Sequence, residues 1–135
     1  MESTNNNASN EQSKGKKDIL IVDDSESIRT YIMSLLENEY NVVTKNDGQE
    51  ALDYLVKGNR PDLILTDMEM PNMNGRTLVR RVNSDPRYSK IPIIFITSVN
   101  SDMLINSFKT MGSVVDYIIK PFQPDELVSK VHNMF

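Results

Sequence analysis

Cysteine is absent from all 135 residues, which rules out a disulfide framework and any cysteine-held zinc. Histidine occurs once, as His132. One imidazole cannot build a metal site alone, so any histidine-dependent chemistry would run through that residue. No GxxxxGK[ST] loop occurs, so a P-loop nucleotide hydrolase is excluded. No apolar run approaches the ~20 residues that a membrane span requires, and the N-terminus lacks the apolar stretch of a secretory signal. The composition reads as that of a soluble, cytoplasmic protein. Positive charge is also in deficit. The net charge of −4 argues against nucleic acid as the main partner, because phosphate backbones attract basic faces. Arg76, Arg80, Arg81 and Arg87 cluster, but at helical spacing they read as one solvated face.

Residues 1–17, MESTNNNASNEQSKGKK, hold only Met1 and Ala8 as apolar side chains. Such a segment buries too little to offset its ordering entropy, and disorder is expected. It carries a net +1, which leaves −5 for residues 18–135. From Asp18 a regular rhythm sets in. DILIV (18–22), YNVVT (40–44), DLILT (62–66), PIIFIT (92–97) and VDYII (115–119) are apolar runs too short for helices, and each reads as a buried strand. Between and after them lie helical stripes: Ile28, Tyr31, Ile32, Leu35 and Leu36; then Ala51, Leu52, Leu55 and Val56, stopped by Gly58. Leu78, Val79 and Val82 mark a third helix, and Met103, Leu104, Phe108 and Met111 a fourth, closed by Gly112. Pro124 opens a fifth, with acids in its first turn and Leu127, Val128 and Val131 on one face. Five strands alternating with five helices imply a parallel sheet covered on both sides, a doubly wound α/β fold.

In such a sheet, ligands bind beyond the carboxyl ends of the strands. The first strand ends on Asp23 and Asp24, the third on Asp67, the fourth on Thr97 and Ser98, and the fifth on Lys120. The second offers only Lys45 and Asn46. Each residue has a bland reading. Asp23, Asp24 or Ser25 could cap the first helix; Asp67 and Lys120 could be solvated strand ends; Thr97 could be a β-former. Their convergence on one edge points elsewhere. Three close carboxylates repel, and each raises the proton affinity of the others unless a cation compensates. Mg²⁺ suits the task, because it accepts one or two carboxylates, keeps waters and leaves room for phosphate oxygens. A carboxylate between Mg²⁺ and the Lys120 ammonium is prepared for a phosphoryl group, which it can attack in line. The product is an acyl phosphate on Asp67, whose charge a mobile hydroxyl such as Thr97 can seek.

These motifs resemble the receiver domain of two-component response regulators, and stand-alone chemotaxis-type regulators in particular. The matching residues are DD (23–24), DMEMPNMNG (67–75), TS (97–98) and YIIKPF (117–122), and the resemblance covers residues 18–135. It implies a flavodoxin-like fold with five strands in the order 2-1-3-4-5. Asp67 resembles the phosphoacceptor. Asp24 resembles the direct ligand of Mg²⁺ (or Mn²⁺), with Asp23 beside it and the Glu69 backbone carbonyl as a further ligand. Thr97 resembles the switch hydroxyl, Tyr117 the aromatic that swings inward once Thr97 moves, and Lys120 the lysine that touches the phosphoryl group, with a cis bond to Pro121. Pro71 and Gly75 resemble the residues that shape the loop after the acceptor. The implied function is a switch that takes a phosphoryl group from a sensor histidine kinase or a histidine phosphotransfer protein. It would assist its own phosphorylation and dephosphorylation without being an enzyme. The implied output is a protein target met by the face of the fourth helix, fifth strand and fifth helix.

Three features depart from the pattern. Glu69 places an extra carboxylate two residues after the acceptor, and Val99, two after Thr97, is apolar; in this family both positions modulate phosphate lifetime. GSVVDY (112–117) is one residue longer than the usual connection, which reads as a lengthened turn or a changed switch surface. Among rivals, a flavin-binding protein is opposed by DDSES, an acidic loop that repels phosphate. A Mg²⁺-dependent phosphatase of another α/β class would use Asp67 with Glu69 as its second acid, and it stays open beside an excised receiver of a larger regulator.

Overall fold

Each apolar run forms one strand of a single sheet. In the computed structural model, which describes residues 15–98, 101–108 and 110–135, β1 spans Asp18–Val22, β2 Asn41–Lys45, β3 Leu63–Asp67, β4 Ile93–Thr97 and β5 Val114–Ile119. Residues 1–14 of the polar segment, and Val99, lie outside the described residues. All pairings are parallel, in the order β2-β1-β3-β4-β5. β3 holds the centre between β1 and β4, and all three interior strands are buried along nearly their whole length.

Five helices cross between and after these strands: α1 Glu26–Leu36, α2 Gly48–Val56, α3 Gly75–Ser84, α4 Asp102–Phe108 and α5 Pro124–His132. Their starts are set by side chains that accept free N–H groups. The Ser25 hydroxyl accepts the Ile28 N–H at 3.3 Å, Asp47 accepts that of Glu50 at 2.9 Å, and Asn74 that of Thr77 at 3.0 Å. α5 opens on Pro124 with Asp125 and Glu126 in its first turn, which suits the positive helix end. Gly58 leaves α2 at φ +105°, a conformation that side chains resist.

The alternation of the strands sorts the core into two layers. Ile19, Ile21, Leu65 and Ile96 face Ile32 of α1 and Leu127 of α5. Leu20, Val22, Ile64 and Phe95 face Leu55 of α2 and Leu78 of α3. Tyr31 and Val56, placed by sequence on inner stripes, are largely exposed. α4 ends at Phe108, so Met111 and Gly112 lie in the turn beyond it.

The extra residue before the fifth strand does not lengthen a turn. Ile93 pairs with Val114 and Ile94 with Asp116, so the register skips Val115. Val115 is the surplus residue of a β-bulge on the edge strand, and it is 51% exposed.

Candidate functional site

The strand ends place five of the singled-out side chains at one edge of the sheet. Asp23 follows β1 directly, and its N–H donates to the Lys45 carbonyl at 3.1 Å, which carries the ladder one residue past the strand. Its side chain is 2% exposed. One carboxylate oxygen accepts the Ser25 N–H at 2.9 Å, and the other faces the Lys120 ammonium at 3.2 Å. The capping of α1 therefore falls to Ser25, and Asp23 points into the cluster. Asp67 is the last residue of β3. Its Oδ1 accepts the Met68 N–H at 2.7 Å and the Glu69 N–H at 3.4 Å. Its Oδ2 lies 3.4 Å from the Lys120 ammonium. Asp24 is exposed and completes the group: one carboxylate oxygen each from Asp23, Asp24 and Asp67 lie within 4.8 Å of one another.

Lys120 is held where β5 ends. Its N–H donates to the Thr97 carbonyl at 2.7 Å, and its bond to Pro121 is cis. One ammonium thus serves two carboxylates, and a third stands beside them. Burial pushes the proton affinity of Asp67 up, and the charge on Asp23 adds to it. The Lys120 ammonium and the two N–H bonds pull the other way without cancelling the rise. For Lys120, burial acts downward, but Asp23 and Asp67 outweigh it and hold the ammonium above its ordinary range. A cluster with three acids and one base carries excess negative charge, which is the donor set a hard divalent cation takes.

Thr97 is 1% exposed at the end of β4, with its hydroxyl 3.8 Å from the Met68 sulfur. Tyr117 packs elsewhere, its ring 5.8 Å from that of Phe108. The Glu69 side chain is exposed. The loop after Asp67 returns tightly: the Gly75 N–H donates to the Met68 carbonyl at 2.9 Å, and a side chain at Gly75 would collide with the Asp67 carbonyl.

Two contributors escaped the sequence reading. Arg29 donates to the Asp23 carbonyl at 2.7 Å and so fixes the acidic loop from α1. Asp47 accepts from the Asn72 side chain at 2.7 Å and ties the loop after Asp67 to the start of α2. Both act through backbone or across distant turns, and no local spacing signals them.

The response regulator receiver domain matches residues 19–132. The chain belongs to this family. Its receiver sequence is 42% identical to the CAI-1 autoinducer sensor kinase/phosphatase CqsS of Vibrio cholerae, over 90% of this chain but 18% of that protein. It is 34% identical to a chemotaxis protein CheY homolog of Campylobacter jejuni, over 86% of this chain and 90% of that protein. Among solved structures, the chemotaxis response regulator CheY4 of Vibrio cholerae superposes with a TM-score of 0.81 at 32% identity, covering 89% of this chain and 99% of that one. The receiver thus spans less than a fifth of the sensor kinase and nearly the whole of the CheY-like proteins. As a receiver it is a phosphoacceptor switch of two-component signalling. Among the described residues, no helix is long and apolar enough to cross a membrane.

Proposed function

We propose that Asp67 is the phosphoacceptor of this receiver, and that a sensor histidine kinase or a histidine phosphotransfer protein is the donor. One observation carries the reading: a carboxylate at the end of β3 lies 3.4 Å from a lysine shared with a second acid, inside a three-carboxylate group. Mg²⁺ or Mn²⁺, held by Asp23, Asp24, Asp67 and the Glu69 carbonyl, would neutralise charge on the phosphoryl oxygens. The chain does the rest. An Asp67 oxygen attacks phosphorus, the phosphorus–nitrogen bond of the donor histidine breaks, and the electron pair leaves with the imidazole. Lys120 meets the transferred oxygens, and Asp23 keeps it charged and aimed. Hydrolysis of the acyl phosphate uses the same groups, so the receiver assists both steps without turning over a separate substrate.

The new charge gives Thr97 a stronger partner than the Met68 sulfur it now meets. Movement of Thr97 opens space for Tyr117 to turn inward, and the surface of α4, β5 and α5 changes for a downstream protein target. The experiment is phosphorylation by a small phosphoryl donor with Mg²⁺. One hydroxylamine-sensitive phosphate per chain is expected, and none in Asp67→Asn. Steady release of phosphate from unrelated esters would overturn the reading in favour of a phosphatase, and undiminished labelling of Asp67→Asn would overturn it in favour of another acceptor.

Glu69 and Val99 stand where phosphate lifetime is modulated. The exposed Glu69 carboxylate sets charge beside the phosphoryl group and the attacking water. Glu69→Asn is expected to change the dephosphorylation rate; equal rates in the two proteins would remove Glu69 from this role.

A further inference from the structure

The outer edge of β5 carries an arrangement that the phosphoacceptor site does not use. Tyr117 lies on this edge strand with its ring against the layer that holds Phe95 and Phe108. Lys130 lies on α5, whose Leu127 and Val131 pack on the opposite layer. The Lys130 side chain wraps around the edge between the two. Its ammonium donates to the Tyr117 carbonyl at 2.8 Å, pairs with Asp116 at 3.1 Å, and sits 5.3 Å from the centre of the Tyr117 ring. Asp116 closes the circle, because the same carboxylate oxygen accepts the Tyr117 N–H at 2.8 Å. Side chains thus occupy both outward backbone groups of Tyr117, groups that an edge strand ordinarily leaves open.

The arrangement begins just beyond the bulge. Asp116 stands opposite Ile94 and Tyr117 opposite Phe95, and the acid next to Tyr117 lies within reach of α5. We propose that Lys130, anchored by Asp116, is a positioning residue that holds the Tyr117 ring in its resting orientation and so sets the threshold of the switch. This rests on the reading of Tyr117 as the switch aromatic given above. The bond to the Tyr117 carbonyl and the pair with Asp116 survive rotation of the ring; the contact between ammonium and ring face does not. Of the three contacts that Lys130 makes, only that one biases the ring, and at a partly exposed site it corresponds to about a two- to fivefold population shift. Activation has to overcome this bias, so loss of Lys130 tightens the binding of an activating ligand by the same factor.

The chain contains no tryptophan, so Tyr117→Trp in the full chain supplies a unique fluorophore at the clamp. Titration with beryllium fluoride and Mg²⁺ then reads ring movement directly. In this background, Lys130→Met is expected to lower the half-saturating concentration about two- to fivefold, and Lys130→Arg, which keeps a cation over the ring, to leave it near the parent value. A merely structural tie between α5 and β5 would change the melting temperature and leave half-saturation unmoved. An unchanged or raised half-saturation in Lys130→Met, with a responsive fluorophore, overturns the clamp and leaves the switch aromatic standing. A fluorophore that responds in none of the proteins overturns the reading of Tyr117 itself. Should Lys130→Met not fold, Asp116→Asn replaces it. That variant keeps the acceptor for the Tyr117 N–H and removes the charge that anchors the ammonium, so a smaller shift in the same direction is expected, and no shift overturns the proposal.

Discussion

Asp67 works under opposing pulls, and their balance has a measurable sign. Burial raises its proton affinity first and the Asp23 charge adds to it; Lys120 and two N–H groups act against them, and the net direction is up. A carboxyl group whose folded-state pKa lies above its unfolded value binds its proton more tightly in the native state. Ionising it therefore weakens the fold, and that loss develops as pH rises from the unfolded value of about 4 through the folded one. Asp67→Asn removes the charge and keeps an oxygen to accept the Met68 N–H, while Asp23, at 3.2 Å, remains for Lys120. In the presence of chelator at neutral pH, the variant is expected to melt a few degrees higher, about 3–5 °C for each kcal/mol. The gap closes as pH falls below ~4. Thermal melts followed by circular dichroism test this, and a lower melting temperature at neutral pH would contradict it. Asp23, Asp24, Asp67, Thr97 and Lys120 were legible in the sequence because each stands where an apolar run stops. Arg29 was not, since its reach to the Asp23 carbonyl depends on how α1 turns, and neither was Lys130, which meets Tyr117 only because α5 packs beside an edge strand.

The elements were legible by the same logic, with strand boundaries within one residue: β1 falls where it was read, β2 and β3 run one residue later, and β4 and β5 differ only at their starts. Polarity places the third strand at residues 62–66, but hydrogen bonding continues to Asp67, which pairs with Ile96. Apolar content marks where a strand is buried, whereas the ladder marks where it ends, and at a working edge the two differ by the functional residue. α4 was the least legible helix. It spans only Asp102–Phe108, and Met103, one of the residues that marked it, is 83% exposed. The bulge was signalled by length but not by type, because a surplus residue can enter a turn or a strand with the same sequence. Its position predicts how the chain tolerates deletion. Removal of Val115 leaves the pairs Ile94–Asp116 through Thr97–Ile119 in place, so this variant is expected to fold cooperatively, with stability within ~1 kcal/mol of the parent. Removal of Ile118, fully buried, slips the strand by one residue and turns its remaining side chains to the wrong faces, and it should not yield a folded protein. Urea denaturation of the two deletions checks this; equal damage in both would mean that Val115 has a role in packing that the register does not show.

At the scale of the molecule, a hydrophobic rhythm dictates where charge collects. Covering the sheet on both faces leaves the strand ends as the places where ionisable groups reach water, and right-handed crossovers bring those ends to one edge. The fold thereby holds Asp23, Asp24 and Asp67 with carboxylate oxygens within 4.8 Å of one another, an arrangement that the unfolded chain lacks. A cation taken by this group binds the native state alone and stabilises it by mass action, by about 2.7 kcal/mol at a hundredfold excess over its dissociation constant. The melting temperature is therefore expected to rise with the logarithm of Mg²⁺ concentration once the site begins to fill. Asp24→Asn and Asp67→Asn should each flatten that rise. Lys120→Met, which removes the competing cation, should start it at lower concentration, because the metal no longer shares the carboxylates with an ammonium at 3.2 and 3.4 Å. Calorimetric melts across a Mg²⁺ titration, with K⁺ matched for ionic strength, separate specific binding from screening. If K⁺ reproduced the effect, or both Asp variants kept the full slope, the acids would be a screened surface and not a metal centre.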